Sequence, residues 1–270
     1  MMNFVSHPLA PPKRSMMLLE SRAAVDFARM LLPLARSSIK TRSEEAQPLV
    51  VVVPGFGSGD RYTLPLRRYL KTLGYQAEGW GLGTNLAGLN QPHTQDDLSD
   101  RWAFKPREDY RGEVGVPFMI DRLYERVVER HEATAKPVVL IGWSLGGFMA
   151  REVARDLPNV VERVITMGSP IIGGPKYTAA APYFTRRGQD LDWIEVEIRS
   201  REERPITQPI HAIISKTDGI VDWQAAIDRH SPDVEHIDVD AAHLGMGFNQ
   251  VIWSHIATIL GQHNREQAAA

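Results

Sequence analysis

The chain has 270 residues, a length that suits one large α/β domain, with 43% hydrophobic and 24% charged residues. Its 31 Lys and Arg balance 33 Asp and Glu to a formal net charge of −2, so no basic surplus indicates a nucleic-acid partner. It has no cysteine, which excludes disulfides, thiolate nucleophiles and cysteine-ligated zinc.

The first predicted element is a helix from about Ser15 to Ile39, in which Pro33 should cause a kink. Residues 1–46 are expected to form an N-terminal extension that carries this helix. We favour packing of the helix on the domain body over membrane docking or a lid, because acidic and basic residues both interrupt it and no basic face develops. No secretory signal or membrane span is recognised, so the sequence predicts a cytoplasmic protein.

The body of the chain alternates buried strands with helices. The predicted strands are Leu49–Val53, Gln76–Trp80, Val138–Ile141, Val160–Met167, Ile210–Ile214 and Val234–Val239. The predicted helices are Leu64–Leu73, Val116–Thr134, Ser144–Asp156, Trp223–Arg229 and Phe248–Gln262. This alternation predicts an α/β fold over residues 47–262, with a mostly parallel sheet of about six strands and helices on both faces. Residues 263–270 are expected to form a frayed tail.

Two segments, about 84–113 and 171–205, lack clear periodicity and are expected to form small caps over the site. Within the second, Trp193–Ile198 is compatible with a strand. In doubly wound sheets, sites lie beyond the carboxyl ends of the strands, which is where these segments fall. Their aromatic residues predict an apolar acyl pocket, although packing as small separate clusters is nearly as plausible for each one taken singly. These residues are Trp102, Phe104, Tyr177, Tyr183, Phe184 and Trp193.

The strongest chemical motif is Gly142-Trp143-Ser144-Leu145-Gly146, a G-x-S-x-G sequence between a predicted strand and a predicted helix. A turn this tight forces the serine toward positive φ, and side chains two residues away on either side would collide. The serine hydroxyl then lies at a helix N-terminus, which favours a developing anion. The alternative is that Ser144 merely caps the helix, but capping alone would not require both glycines.

On these residues the chain resembles the α/β-hydrolase superfamily, in its lipase/esterase-like branch, from about Leu49 to Leu260. The resemblance implies that Ser144 is the nucleophile and that the backbone N–H groups of Leu145 and Phe56 form an oxyanion hole. Phe56 lies in Pro54-Gly55-Phe56-Gly57, where that branch often has His-Gly-x-Gly. Proline in place of histidine leaves the donor intact but removes a polar group behind it.

The order Ser, acid, His expected for this superfamily continues downstream. Asp218 begins Asp218-Gly219-Ile220-Val221, which resembles the family's acid turn, and Asp222 is the second candidate because it could equally cap the following helix. His243 follows the last predicted strand and resembles the base-bearing His-x-Gly segment. His211, His236 and His255 do not lie at the carboxyl end of a strand.

The sequence therefore predicts a serine hydrolase that cleaves a carboxylic ester through an acyl-enzyme on Ser144, with a lipid acyl ester as one candidate substrate. Two other hypotheses remain: an acyltransferase with the same triad, and a non-catalytic binding protein that has kept the fold. No cofactor motif or metal-ligand spacing occurs. The expected partner is a small ester or lipid, with no nucleic acid, and membrane contact through the N-terminal helix is possible but not favoured.

Overall fold

The computed structural model describes residues 8–30, 47–104 and 111–269, with side chains up to residue 261. Its centre is a six-stranded, wholly parallel sheet, which confirms the predicted fold class. The strands are β1 (Leu49–Val53), β2 (Gln76–Gly79), β3 (Val138–Trp143), β4 (Val161–Met167), β5 (Ile210–Ile214) and β6 (Val234–Asp238). Their order is β2-β1-β3-β4-β5-β6.

Two neighbouring interior strands, β1 and β3, are buried along their whole length, as their continuous apolar sequences require. They pair in parallel, with Val52 opposite Ile141 and Val53 opposite Gly142. This register brings the turn that follows β1 beside the turn that follows β3. The fold therefore places the predicted oxyanion turn next to the predicted nucleophile turn.

Helices cover both faces of the sheet. The α-helices are α1 (Ala23–Met30), α2 (Asp60–Thr72), α3 (Gly115–Thr134), α4 (Leu145–Asp156), α5 (Ala181–Arg186), α6 (Leu191–Arg201) and α7 (Gln250–Ala269). On one face, Leu66 of α2 and Ile256 of α7 pack against β1 and β3. On the other face, Leu123 of α3 and Val153 of α4 pack against the same strands. The sheet is thus doubly wound, as predicted.

The N-terminal segment of residues 14–30 consists of a 3₁₀-helix, Arg14–Arg22, that continues into α1. It packs against the 3₁₀-helix His243–Phe248. The remainder of the predicted N-terminal helix, including Pro33, lies outside the described residues. In the described part of the chain, every helix is too short or too polar to span a bilayer.

The second cap segment is more helical than predicted. Trp193–Ile198 lies within α6, so the strand interpretation was wrong. Apolar and acidic residues alternate there in the manner of a strand, but the Asp190 side chain accepts hydrogen bonds from the N–H groups of Asp192 and Trp193 and so starts a helix. Because Ile194 and Ile198 are four residues apart, they then share one helical face.

Several helix ends also differ from the prediction, and α2 begins at Asp60 and not at Leu64. The predicted helix Trp223–Arg229 is only a short 3₁₀-helix, Trp223–Ala226. The last helix, α7, extends to Ala269, beyond the predicted end at Gln262.

Candidate active site

Ser144 lies between β3 and α4 with φ of 55° and ψ of −127°, the strained conformation that the sequence predicts. A Cβ atom at Gly142 would overlap the backbone of Gly147, and one at Gly146 would overlap the carbonyls of Val53 and Pro54. The turn thus requires both glycines. The Ser144 side chain makes no capping hydrogen bond to α4, so it does not serve as a helix cap.

Asp218 and His243 meet at the carboxyl ends of β5 and β6. Asp218 Oδ2 lies 2.7 Å from Nδ1 of His243, and both side chains are 2% exposed. Asp218 Oδ1 accepts hydrogen bonds from the N–H groups of Ile220 and Val221, each at 2.8 Å. The carboxylate is therefore fixed on both oxygens, and its hydrogen bond leaves Nε2 of His243 as the ring nitrogen that can act as a base.

The alternative candidates lie elsewhere. Asp222 caps the 3₁₀-helix Trp223–Ala226 by accepting the N–H of Gln224. His236 accepts the N–H of Asp228, and His211 contacts Glu235 at 3.0 Å between β5 and β6. His255 lies within α7. Of these candidates, only His243 lines the pocket that Ser144 lines, and Asp218 is the carboxylate hydrogen-bonded to its ring.

The loop that carries His243 is supported by two aromatic residues that the sequence analysis missed. Trp143, next to Ser144, donates from Nε1 to the carbonyl of His243 at 3.0 Å. Tyr62 stacks on Trp143 with ring centres 4.0 Å apart, and its hydroxyl donates to the carbonyl of Leu244 at 3.0 Å. Burial raises the pKa of Tyr62, so the phenol stays protonated and can donate. These contacts link the serine turn directly to the histidine loop.

The turn after β1 contacts the serine turn. A Cβ atom at Gly55 would lie 2.9 Å from Cβ of Ser144, so this position tolerates only glycine. Neither the N–H of Phe56 nor that of Leu145 donates a hydrogen bond to any residue that the structure describes. Both residues line the same pocket as Ser144. They are the two donors that the resemblance implies.

Asn85 supplies a polar group behind this turn, where Pro54 stands in place of the usual histidine. Its side chain is fully buried and donates to the carbonyl of Pro54 at 2.8 Å. Its backbone accepts the N–H of Gly57 at 2.7 Å and donates to the carbonyl of Ser58 at 2.8 Å. Asn85 thus fixes the turn after β1 at three points. The sequence analysis did not identify this role, because Asn85 lies 31 residues after Pro54 in the chain.

A cavity of about 190 Å³ opens beside Ser144, His243 and Leu145. Four of the six predicted aromatic residues line it: Trp102, Phe104, Phe184 and Trp193. Further apolar wall residues come from the helices and the turn after β1, and these were not predicted: Phe56, Val116, Ile120, Phe148, Ile194 and Ile198. Polar wall residues Glu113 and Gln189 hydrogen-bond main-chain groups, so the interior presents mainly hydrocarbon.

Two predicted pocket residues do not line the cavity. The Tyr177 hydroxyl donates to Glu195 of α6 at 2.9 Å. Tyr183 is 44% exposed and packs on Phe56 and Phe184. Composition predicted an aromatic cap, but it did not indicate which aromatic residues face inward.

Ion pairs attach the cap helix α6 to the helix that follows Ser144. Arg201, which lines the cavity, bonds to Glu152 and, at 3.0 Å, to Asp156 of α4. Its guanidinium also lies 4.1 Å from the ring centre of Trp102. The cap is thereby joined to the body of the domain.

Within the described ranges, no three His, Asp or Glu side chains converge as metal ligands.

Comparison with known proteins agrees with this architecture. The model of the alpha/beta hydrolase family matches residues 50–259. Similar solved structures include alpha/beta hydrolase domain-containing protein 10 from mouse, with 17% identity, coverage of 82% of this chain and 90% of that one, and a TM-score of 0.50. A lipase-esterase related protein from Clostridium acetobutylicum has 15% identity, coverage of 82% and 96%, and a TM-score of 0.51.

The monoacylglycerol lipase of Paleococcus ferrophilus has 14% identity, coverage of 80% and 96%, and a TM-score of 0.50. At such identities these structures indicate a shared fold. No curated protein is significantly similar to this chain in sequence. The family match spans most of the chain and coincides with the sheet and the serine turn, and the chain belongs to the alpha/beta hydrolase family.

Proposed function

We propose that this protein is a serine hydrolase that cleaves a carboxylic ester through an acyl-enzyme on Ser144. The observation that carries the proposal is the buried His243–Asp218 pair, whose histidine lines the same apolar cavity as a serine in a strained turn. A protein that only binds ligands gains nothing from a strained serine, and such strain persists only where the surroundings enforce it. This argues for catalysis over a scaffold role.

The reaction follows from the position of each group. Nε2 of His243 accepts the proton of the Ser144 hydroxyl as its oxygen attacks the ester carbonyl. The N–H groups of Phe56 and Leu145 donate to the resulting oxyanion, and the N-terminus of α4 adds a favourable dipole. Collapse of the intermediate breaks the bond to the alcohol, which takes the proton from His243. Water then attacks the acyl-enzyme by the same steps and releases the acid.

The cavity favours a hydrocarbon acyl group. Its wall is built from aromatic and aliphatic side chains, and its polar members are already engaged. Each buried CH₂ contributes about 0.8 kcal/mol, which corresponds to a roughly fourfold gain in kcat/KM per carbon until the cavity is filled. The substrate class that follows is an ester of an aliphatic or arylaliphatic acid.

Hydrolysis of a p-nitrophenyl ester series from acetate to laurate tests this proposal. We expect kcat/KM to rise with chain length and then level off. The Ser144→Ala protein should lose roughly 10³-fold or more at every length. A flat profile in which wild type and Ser144→Ala behave alike would contradict the proposal.

The acyltransferase hypothesis is tested in the same assay. Adding a primary alcohol should leave the yield of free acid dominant if water is the natural acceptor. If the acyl ester of the added alcohol predominates instead, the same acyl-enzyme serves an acyltransferase.

A further inference from the structure

The N-terminal segment of residues 14–30 covers the loops that carry Asp218 and His243. Arg22 pairs with Asp240 at 2.6 Å, and the ring of Phe27 meets that of Phe248 edge-on at 5.5 Å. This segment precedes the first strand of the sheet, and the functions proposed above do not use it. Its contacts show that it packs against the loops that carry the site residues.

Glu20 and Asp26 are the buried residues of this segment, and Glu20 contacts both loops. Its side chain is buried, and one carboxylate oxygen accepts the N–H of Gly219 at 2.8 Å and the N–H of His243 at 3.0 Å. The other oxygen accepts the N–H of Leu244 at 2.8 Å. A single carboxylate therefore bonds the residue after the acid, the base itself and the residue after the base.

The main chain is shaped for this contact. A Cβ atom at Gly219 would lie 2.5 Å from the carbonyl oxygen of Met16 and 3.0 Å from the Glu20 carboxylate. A Cβ atom at Gly245 would lie 3.2 Å from Cα of Ala23. Both loops thus have a glycine where the N-terminal segment presses against them. The close approach occurs on the acid loop and on the base loop, not on one of them alone.

These bonds constrain the separation of two groups whose contact matters for catalysis. The Asp218–His243 hydrogen bond is 2.7 Å long and needs both loops in register. Glu20 fixes the backbone at His243 and one residue after Asp218, and a buried carboxylate accepting three N–H groups forms strong, charge-assisted bonds. Backbone shifts of about 1 Å at such a site can cost roughly a hundredfold in rate.

We propose that Glu20 is a positioning residue that holds the acid and base loops of the site in register. This inference rests on the proposed function. The N-terminal segment is then part of the catalytic apparatus, although it lies outside the sheet and its helices. Glu20 acts through the main chain of His243 and does not contact the substrate.

Two substitutions and one control test the proposal. Glu20→Ala removes all three acceptor bonds. Glu20→Gln keeps the shape, but its amide nitrogen must face at least one of the three N–H groups. Arg22→Ala removes the ion pair between the same segment and Asp240 but leaves all three Glu20 bonds in place. Assays are run well below the melting temperature of each protein, with active molecules counted by titration with a fluorophosphonate.

We expect kcat of Glu20→Ala to fall by roughly tenfold to a hundredfold while KM changes little, since alignment and not substrate contact is lost. Glu20→Gln should recover part of kcat, and Arg22→Ala should stay within about threefold of wild type. A purely stabilising role would lower the melting temperature and leave kcat unchanged. Equal losses in Glu20→Ala and Arg22→Ala would also overturn the proposal, because docking of the segment alone would then explain them.

A proton NMR measurement tests positioning without catalysis. The Nδ1–H of His243, bonded to a buried carboxylate, should give a far-downfield resonance in wild type that is absent from His243→Ala. We expect Glu20→Ala to broaden or shift this resonance and Arg22→Ala to preserve it. An unchanged resonance in Glu20→Ala would overturn the proposal even if no ester is hydrolysed. If wild type neither hydrolyses esters nor reacts with fluorophosphonate, the proposed function fails while the resonance still decides the role of Glu20.

Discussion

Replacing Asp218 with asparagine changes the site chemically while keeping its shape. The carbonyl oxygen of the new amide can still accept the N–H groups of Ile220 and Val221, which lie 2.8 Å from the Asp218 carboxylate. The NH₂ group of that amide then faces Nδ1 of His243, which must become an acceptor. The proton moves to Nε2, and the histidine can no longer take the proton of Ser144.

The expected loss follows from this wrong tautomer. We expect kcat of Asp218→Asn to fall by about 10⁴-fold, which corresponds to about 5 kcal/mol of transition-state stabilisation. KM should change little, because Asp218 does not line the cavity. The assay is steady-state hydrolysis of the best p-nitrophenyl ester from the chain-length series.

Asp222→Asn is the matched control. Asp222 caps a short 3₁₀-helix and accepts the N–H of Ala10, so its loss should cost less than about tenfold in kcat. The reasoning is refuted if Asp222→Asn abolishes turnover and Asp218→Asn remains within about tenfold of wild type.

Three further predictions follow from contacts around the site. Asn85→Ala should lower kcat roughly tenfold to a hundredfold with KM nearly unchanged in steady-state assays, because the oxyanion turn loses its buried support while its donors remain. Arg201→Ala should raise KM for long-chain esters roughly tenfold, about 1.4 kcal/mol, in the same assays, since it frees one wall of the cavity. Burial lowers the pKa of His211 and of His236 below the ordinary value of 6.5, so the unfolded chain binds protons at these histidines more readily than the folded chain does. Urea titrations should therefore show that the free energy of unfolding decreases as the pH falls below about 6.5, by up to about 1.4 kcal/mol per pH unit for each histidine. His236→Gln should reduce that slope. Unchanged kcat in Asn85→Ala, unchanged KM in Arg201→Ala, or a flat stability curve in wild type would contradict the corresponding argument.

The core of the sheet could be predicted because two of its interior strands have unbroken apolar sequences. Leu49–Val53 and Val138–Ile141 are uninterrupted apolar runs, which a doubly covered parallel sheet requires. The serine turn could also be predicted, because the G-x-S-x-G pattern lies directly between a strand and a helix and the collision that requires Gly142 is with the nearby Gly147. The collision that requires Gly146 is with the distant Val53 and Pro54, and the motif alone indicated that position.

What sequence reasoning missed depends on contacts between distant segments. Asn85 supports a turn that lies 31 residues before it at Pro54, and Tyr62 reaches the histidine loop from α2. Glu20 is one of the acidic residues that interrupt the predicted N-terminal helix, and nothing near it in sequence indicates that it accepts three backbone N–H groups. The error over Trp193–Ile198 had a different cause: a capping aspartate outweighed an alternating pattern.

The most direct test of the central claim is the identity of the residue that reacts with a fluorophosphonate. Wild type, His243→Ala and Ser144→Ala are treated under identical conditions, and the labelled peptide is sequenced by mass spectrometry. We expect a single adduct on Ser144 in wild type, much slower labelling of the same residue in His243→Ala, and none in Ser144→Ala. Labelling of a different residue, or equal rates in wild type and His243→Ala, would contradict the claim that His243 activates Ser144.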